Sequence, residues 1–140
     1  MLRRSFLLEV LKMTMMSSMQ TWIWIALAGA VGTVCRYAVG RWVLSMTGGA
    51  FPWGTFAVNM IGCLLIGIVA GSIEKQALVS PVVRLAIIVG FLGGFTTFSS
   101  FALEGYALTH THDWLAAGGY IVLTNVIGLG AVWAGHRLVA

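Results

Sequence analysis

The chain has 140 residues, the length of one domain of the usual ~100–200 residues. Hydrophobic residues make up 59% of it before its 18 glycines are counted, and charged residues make up only 9%, against roughly 25% in soluble domains. These values exclude a water-soluble or disordered chain, and the net charge of +4 reflects few acids and no basic stripe, so no nucleic-acid partner is expected.

Four apolar stretches are each long enough to cross a lipid bilayer, whose hydrocarbon core takes about 20 apolar residues in a helix. Tryptophans lie near the ends of these stretches, as they do at membrane–water interfaces. The expected spans are about 22–46, 54–73, 83–105 and 114–137. The fold class is therefore an all-α, multi-pass membrane protein with a four-helix transmembrane domain over residues 21–140.

Residues 1–20 differ from the stretches that follow them. Glu9 and Lys12 interrupt their apolar run, which is then too short for the hydrophobic region of a signal peptide. Four methionines cluster between Met13 and Met19. We expect this segment to be an N-terminal extension that the transmembrane domain does not need.

The first span carries an arginine, Arg36, well inside an otherwise apolar stretch. Polar groups at membrane depth are costly and by default mark function. Two roles are open for this residue. It lines a vestibule, or it is a structural arginine that pairs with another group or snorkels to the interface.

Small residues recur at helical spacing along three of the spans. Such faces let helix backbones approach closely where lipid supplies no hydrophobic drive. Packing within one subunit and oligomerisation both use them, and oligomerisation is favoured because four short helices do not easily enclose a pathway. The residues are Ala28, Gly32 and Gly40, then Gly67 and Gly71, then Ala131 and Gly135.

The second span contains one amide side chain, Asn59. A lone Asn in an apolar helix either makes an interhelical hydrogen bond or presents an N–H donor to a ligand. Cys35 and Cys63 both lie inside apolar stretches with no metal-binding or disulfide spacing. We interpret the two cysteines as small apolar core residues.

The third span is predicted to break in the middle of the membrane. Gly93 and Gly94 are followed by a Thr pair and then a Ser pair, and both residue classes weaken a helix. Such a break is tolerated only where its backbone is buried in protein or lines a water-filled path. Carbonyl oxygens freed there are suited to a hard monovalent cation.

Two phenylalanines, Phe98 and Phe101, follow the predicted break at i and i+3, so their rings would lie on one side of a helix. Because the edge of an aromatic ring is electropositive, the pair either faces an anion or simply packs. Glu104, near the end of this span, either lines a vestibule or meets lipid headgroups.

The fourth span places Tyr120, Thr124 and Gly128 at i, i+4 and i+8. Hydroxyls stacked on one face resemble a track for a partly dehydrated ion, although they can instead bond back to carbonyls of their own helix. Before this span, His110, His112 and Asp113 form a possible metal cluster, for which a solvated loop is the favoured interpretation.

The sequence resembles the Fluc family of fluoride channels, also called CrcB, from about Trp22 to Arg137. Three motifs carry the resemblance, of which the third is the most specific. They are Gly29-x-x-Gly32-x-x-x-Arg36-Tyr37, Gly54-Thr55-Phe56-x-Val58-Asn59-x-x-Gly62, and Gly93-Gly94-Phe95-Thr96-Thr97-Phe98-Ser99-Ser100-Phe101.

The resemblance implies an antiparallel, dual-topology homodimer with two fluoride pores. Gly93 and Thr96 would offer backbone carbonyls to a structural, untransported Na⁺ shared by both subunits, and Arg36 and Glu104 would be structural or vestibule residues. Gly128 replaces a hydroxyl that some members carry in the track. The implied pore residues are Asn59, Phe98, Ser99, Phe101, Tyr120 and Thr124.

The implied function is passive export of cytoplasmic fluoride across a bacterial plasma (inner) membrane, which lowers fluoride toxicity. The sequence has no nucleotide loop, catalytic triad or metal motif, so an enzyme is not expected. A small dual-topology, proton-coupled multidrug exporter is the alternative, but it needs a carboxylate in the first span, where this chain has Arg36. A non-conducting scaffold subunit would leave the predicted break without a purpose.

Orientation in the membrane is weakly encoded. Outside residues 1–20, Lys75, Arg84 and Arg137 would lie on one side of the membrane and Arg41 on the other. Because the positive-inside rule needs an asymmetry to act on, so small a bias is compatible with insertion in both directions.

Overall fold

A computed structural model describes residues 2–49, 51–75, 80–111 and 113–139, and only the backbone of residues 2–17. The described chain is helical throughout, apart from short connections. The helices are α1 (Leu2–Thr47), α2 (Trp53–Lys75), α3 (81–95), α4 (Phe98–His110) and α5 (Trp114–Val139). Within α3, an α-helical turn Pro81–Leu85 leads into a π-helical segment Ala86–Leu92 and a last α-turn Gly93–Phe95.

Four helical segments are long and apolar enough to cross a membrane: Ser18–Thr47, Trp53–Lys75, Pro81–His110 and Trp114–Val139. They confirm the prediction of an all-helical chain with four spans. The third segment extends past the expected end at residue 105 and contains both α3 and α4. Helix α1 runs through the expected boundary near residue 20 without interruption, and whether residues 1–20 are dispensable stays a prediction.

The third span breaks at Thr96 and Thr97, which are both extended, with φ/ψ of −83°/160° and −148°/119°. Gly93, by contrast, keeps helical angles of −64° and −36°. The glycine pair therefore does not itself unwind the helix. Gly94 instead permits close approach, since a Cβ atom there would lie within 3.2 Å of the Gly29 backbone on α1.

Helices α2 and α5 run in the same direction and meet along a glycine seam. A Cβ atom on Gly67 would lie 3.0 Å from the backbone nitrogen of His136, and one on Gly135 would lie 3.0 Å from that of Ile68. Substitution at either position would force the helices apart. Gly32 and Gly71 likewise face backbone atoms of neighbouring helices.

These contacts correct the interpretation of the small-residue faces. Gly32, Gly67, Gly71 and Gly135 pack inside one subunit, so the faces they form do not argue for oligomerisation. The reason is that a glycine on a helix admits the nearest backbone, and here the nearest backbone belongs to the same chain.

The buried side chains gather around the break, where α2, α3, α4 and α5 meet. Elsewhere large apolar side chains are exposed, as expected for surfaces that face lipid or another subunit. The buried hydrophobic residues are Val58, Leu92, Phe95, Phe101, Ala117 and Tyr120. The chain thus concentrates its core at the point where its backbone departs from helical geometry.

Candidate functional site

The amide of Asn59 holds the break from the neighbouring helix α2. Its Nδ2 donates to the carbonyl oxygen of Thr97 at 3.1 Å, and its Oδ1 accepts from the Thr97 backbone N–H at 3.0 Å. Asn59 therefore makes two interhelical hydrogen bonds, which is one of the two roles that the sequence left open for it. The Nδ2 group carries two hydrogens, and the bond to Thr97 uses only one of them.

Further donors reach the carbonyls that the break frees at the end of α3. The Nε of Arg36 donates to the carbonyl oxygen of Gly94 at 3.0 Å, so this arginine is paired structurally. The Leu92 carbonyl accepts from both the backbone nitrogen and the hydroxyl of Thr96, at 3.0 and 2.9 Å. Among the described residues, no side chain donates to the carbonyl oxygens of Gly93 or Thr96.

Thr97 also starts the next helix. Its hydroxyl oxygen accepts from the backbone N–H of Ser100 at 3.2 Å, which caps the N-terminus of α4. The same hydroxyl donates to the Ser100 Oγ at 3.1 Å and lies 3.4 Å from the Ser99 Oγ. Ser99 itself is exposed on the first turn of α4. The Thr and Ser pairs thus end one helix and begin another.

The two phenylalanines after the break have different environments. Phe101 is 8% exposed, whereas Phe98 is 79% exposed. Their ring centroids are 5.7 Å apart, and the Phe101 ring lies 5.2 Å from that of Tyr120. Their separation of three residues in the sequence does not indicate this difference in exposure.

Two hydroxyls hold the carboxylate of Glu104. Thr55 on α2 donates to its Oε1 at 2.7 Å, and Tyr120 on α5 donates to its Oε2 at 2.9 Å. Tyr120 is fully buried. Its hydroxyl therefore does not bond to a carbonyl of its own helix, and it does not face an open ion path. Thr55 was missed from the sequence, although it lies four residues before Asn59 and so on the same face of α2.

An open crevice of about 480 Å³ lies between α1, α2 and α4. Two arginines of α1, Arg36 and Arg41, line it, with Glu104 opposite. Towards its inner end it reaches Thr97 and Ser100 at the break. We call this space the α1–α4 crevice. Its charge and its position suit an aqueous entrance to the break.

A second open space, of about 430 Å³, lies between α2, α3, α4 and α5 on the other side of the break. We call it the α2–α5 cavity. Thr97 lines both spaces, so the break separates the two. Its polar lining residues are Asn59, Cys63, Thr96, Thr97, Thr124 and Asn125, and Phe98 and Phe101 also line it.

Thr124 stands out within this cavity. It is 8% exposed, and its hydroxyl has no hydrogen-bond partner in the described part of the chain. A buried hydroxyl without a partner is costly, which makes Thr124 an unusual polar group in this lining. None of the described residues that line the α2–α5 cavity carries a charge.

The arrangement offers two kinds of binding chemistry. Amide, hydroxyl and ring-edge groups in the α2–α5 cavity can replace part of the water around a small anion. The carbonyl oxygens of Gly93 and Thr96 are ligands that a hard cation accepts. The structure brings Asn59, Phe98, Phe101 and Thr124 together around the α2–α5 cavity. The ring of Phe98 and the side chain of Ser99 are also exposed at the surface of the chain.

The possible metal cluster before α5 does not assemble among the described residues. His110 packs against Tyr106 with ring centroids 4.5 Å apart, and Asp113 accepts from the Ala116 backbone N–H at 3.0 Å to cap α5. His112 lies outside the described residues. No group of three or more potential ligands occurs in the part of the chain that the structure covers.

Comparisons with known proteins point to one family. Residues 23–136 match the family described as "CrcB-like protein, Camphor Resistance (CrcB)". The chain is 46% identical over 111 residues to a protein of Rhizobium etli named "Fluoride-specific ion channel FluC", covering 79% of this chain and 89% of that one.

Two further organisms provide relatives of the same name. The chain is 41% identical over 115 residues to the protein of Nitrosococcus oceani, covering 82% of this chain and 92% of the relative. It is 45% identical over 114 residues to the protein of Chloroflexus aurantiacus, covering 81% and 90% respectively. The resemblance seen in the three sequence motifs is thereby confirmed.

Proposed function

The chain belongs to the CrcB family, and we propose on that basis that it is a fluoride-selective ion channel in a membrane. Its relatives bear the name of an ion channel, which agrees with the expectation that the protein is not an enzyme. In the proposed role, fluoride moves passively down its electrochemical gradient. Because it enters a cell as neutral HF and is trapped as the anion at neutral pH, the channel would export it and lower its toxicity.

The observation that carries the proposal is the hydroxyl of Thr124, which has no partner among the described residues and belongs to an uncharged cavity beside the break with a few polar groups in a largely apolar lining. An anion that must leave as readily as it enters is best held by neutral donors, because a fixed cation would retain it. Arg36 lines the α1–α4 crevice and bonds through its Nε to the Gly94 carbonyl. The proposal therefore places the attraction of anions at the α1–α4 crevice and their passage in the α2–α5 cavity.

A proton-coupled exporter finds less support in the same geometry. Such a protein needs an ionisable carboxylate that is free to exchange a proton for a substrate. Glu104 is the carboxylate at the site, and hydroxyls of Thr55 and Tyr120 hold both of its oxygens.

The proposed structural Na⁺ would be held by the backbone carbonyls of Gly93 and Thr96. Support comes from their lack of a side-chain donor within the described residues and from the exposure of Gly93 on the chain surface. Two carbonyl oxygens fill only part of the coordination shell of a hard cation, which takes several oxygen ligands. A second copy of the chain would supply further ligands, as the proposed homodimer requires.

The homodimer is further supported by the outer face of α5. A Cβ atom built on Gly118 would meet nothing within 4 Å in the described chain, and Asn125, seven residues later and so on the same face of the helix, is exposed. An amide and a glycine on an exposed face of a membrane helix favour a helix partner over lipid. In the proposed assembly two copies insert in opposite directions into the plasma (inner) membrane of a bacterium.

The function is tested by reconstituting the purified full chain in liposomes and measuring anion efflux with ion-selective electrodes. The expected result is rapid fluoride efflux with chloride retained. Efflux should need neither a proton gradient nor ATP. Equal efflux of both anions, no efflux, or uptake of organic cations driven by protons would overturn the proposal.

A further inference from the structure

The track on α5 lacks a hydroxyl at Gly128, and the structure places a thiol there. A Cβ atom built on Gly128 would lie 3.4 Å from the Sγ of Cys63 on α2. Asn59 and Cys63 are four residues apart on α2, as Thr124 and Gly128 are on α5. Because the two helices run in the same direction, the thiol comes at the level of Gly128.

The space around the thiol contains several polar groups within a largely apolar lining, which the sequence-based interpretation of a core cysteine did not anticipate. Cys63 is half-buried and lines the α2–α5 cavity together with Asn59 and Thr124. The buried Thr124 hydroxyl, four residues before Gly128, has no partner within the described residues. The thiol and the side chain of Thr124 thus line the same cavity.

We propose that the Cys63 thiol continues the anion path past Thr124, in place of the hydroxyl that Gly128 cannot supply. The proposal rests on the fluoride-channel function proposed above. A thiol is a small neutral group and a weak hydrogen-bond donor, so it can contact a passing anion without retaining it. The path then presents the Asn59 amide, the Thr124 hydroxyl and the Cys63 thiol in turn.

The first test moves the donor from one helix to the other. Cys63→Ser keeps a small donor and should retain most of the fluoride efflux that Cys63→Ala loses. Cys63→Ala should lower efflux about two- to fivefold, the lower part of the range expected for one lost hydrogen bond. Gly128→Ser in the Cys63→Ala background should restore efflux, since a side chain at 128 points to the space that the thiol leaves.

The matched control is Gly128→Ala in the same Cys63→Ala background. It refills the volume without a hydroxyl and should not restore efflux. If it restores efflux as well as Gly128→Ser does, or if Cys63→Ala conducts like the parent, the thiol is only a packing group and the proposal is wrong. Gel filtration and thermal unfolding of each variant show whether it is folded.

The second test asks whether the thiol meets water, independently of flux. Methyl methanethiosulfonate at mildly alkaline pH reacts with thiolates: the Cys63 sulfur bonds to the methylthio group, and methanesulfinate leaves. Cys35, on α1, does not contribute to the described lining of either cavity and serves as the internal control. Mass spectrometry of the folded protein should show faster labelling of Cys63 than of Cys35.

Labelling of Cys63 should also block fluoride efflux, Cys35→Ala should leave the block intact, and Cys63→Ser should abolish it. Labelling that is no faster than at Cys35, or labelling without block, would place the thiol outside the path. A parent that shows no fluoride efflux would overturn the channel function and this proposal together. With an active parent, the other adverse results overturn only the role of Cys63.

Discussion

The side chain of Asn59 forms two hydrogen bonds with the backbone of Thr97, accepting from its N–H at 3.0 Å and donating to its C=O at 3.1 Å. One amide thus satisfies both polar groups of a residue that belongs to neither α3 nor α4. Because an unsatisfied backbone group at membrane depth costs several kcal/mol, this pair allows a helix break inside the membrane.

Replacing Asn59 should therefore affect folding as well as transport. Asn59→Leu leaves the Thr97 N–H and C=O without their amide partner, at a cost of about 1–3 kcal/mol for each buried group. Asn59→Asp keeps an acceptor but loses the donor and adds a charge that repels anions. Both should lower the thermal midpoint in detergent and reduce fluoride efflux.

The control for Asn59 is Ser45→Ala. The Ser45 hydroxyl donates to the Trp42 carbonyl of its own helix and lies outside the described lining of both cavities, so thermal stability should change little. An Asn59→Leu protein with parental stability and efflux would contradict the role assigned to this amide.

The two phenylalanines should respond differently to the same substitution. Phe101→Ile disturbs a buried ring that contacts Tyr120 and should destabilise the folded chain by about 1–3 kcal/mol. Phe98→Ile changes an exposed ring and should cost less than about 0.5 kcal/mol within the chain. If ring edges contact the anion, both variants lose fluoride efflux while remaining dimeric by gel filtration. Parental efflux in both would show that the rings only pack.

Substitutions at two neighbouring glycines should distinguish contacts within the chain from contacts between copies. A Cβ atom on Gly93 meets only the Ile88 carbonyl among the described residues, at 3.8 Å, whereas one on Gly94 would overlap the backbone of Gly29. Gly94→Ala should therefore disrupt folding of the single chain. Gly93→Val should leave it folded and impair only the proposed dimer and Na⁺ site.

Thr96→Ser provides the mild control for the Na⁺ site, because it keeps the backbone carbonyl. The measurements are thermal unfolding, gel filtration and efflux with Na⁺ present or exhaustively replaced. A Gly93→Val protein that is dimeric and active, together with full activity without Na⁺, would refute the proposed site.

Arg41 should raise the local concentration of anions at the mouth of the α1–α4 crevice, where it is exposed to solvent. Arg41→Gln should reduce single-channel fluoride current severalfold at low ionic strength. The difference should vanish near ~1 M salt, where the Debye length is only about 3 Å. Arg84→Gln, which removes a charge outside the described lining of both cavities, should have no such effect. A salt-independent loss in Arg41→Gln would contradict this electrostatic role.

Removal of residues 1–18 should leave fluoride efflux and thermal stability unchanged. The family match begins at residue 23, after the whole of the deleted segment. Efflux from liposomes and gel filtration of the truncated chain check this expectation. Loss of folded protein would show that the N-terminal part of α1 contributes to the transmembrane domain.

The sequence by itself determined the class of protein and its four spans, because bilayer thickness imposes a length and polarity on each helix that no packing detail alters. It also located the interruption of the third span within a few residues, since the Thr and Ser pairs offer the backbone alternative hydrogen bonds. The motif around that interruption was specific enough to identify the family, which the relatives confirmed.

Only the tertiary structure decided how these residues are used. The separation of Phe98 and Phe101 predicts that both rings lie on one side of the helix, yet one ring is buried and the other exposed. The reason is that burial depends on which neighbouring helix lies beside each ring. The glycine faces pack within one chain, and Cys63 comes to lie beside Gly128. Such pairings join residues far apart in the sequence, and the helix-packing register that sets them is not encoded in local spacing.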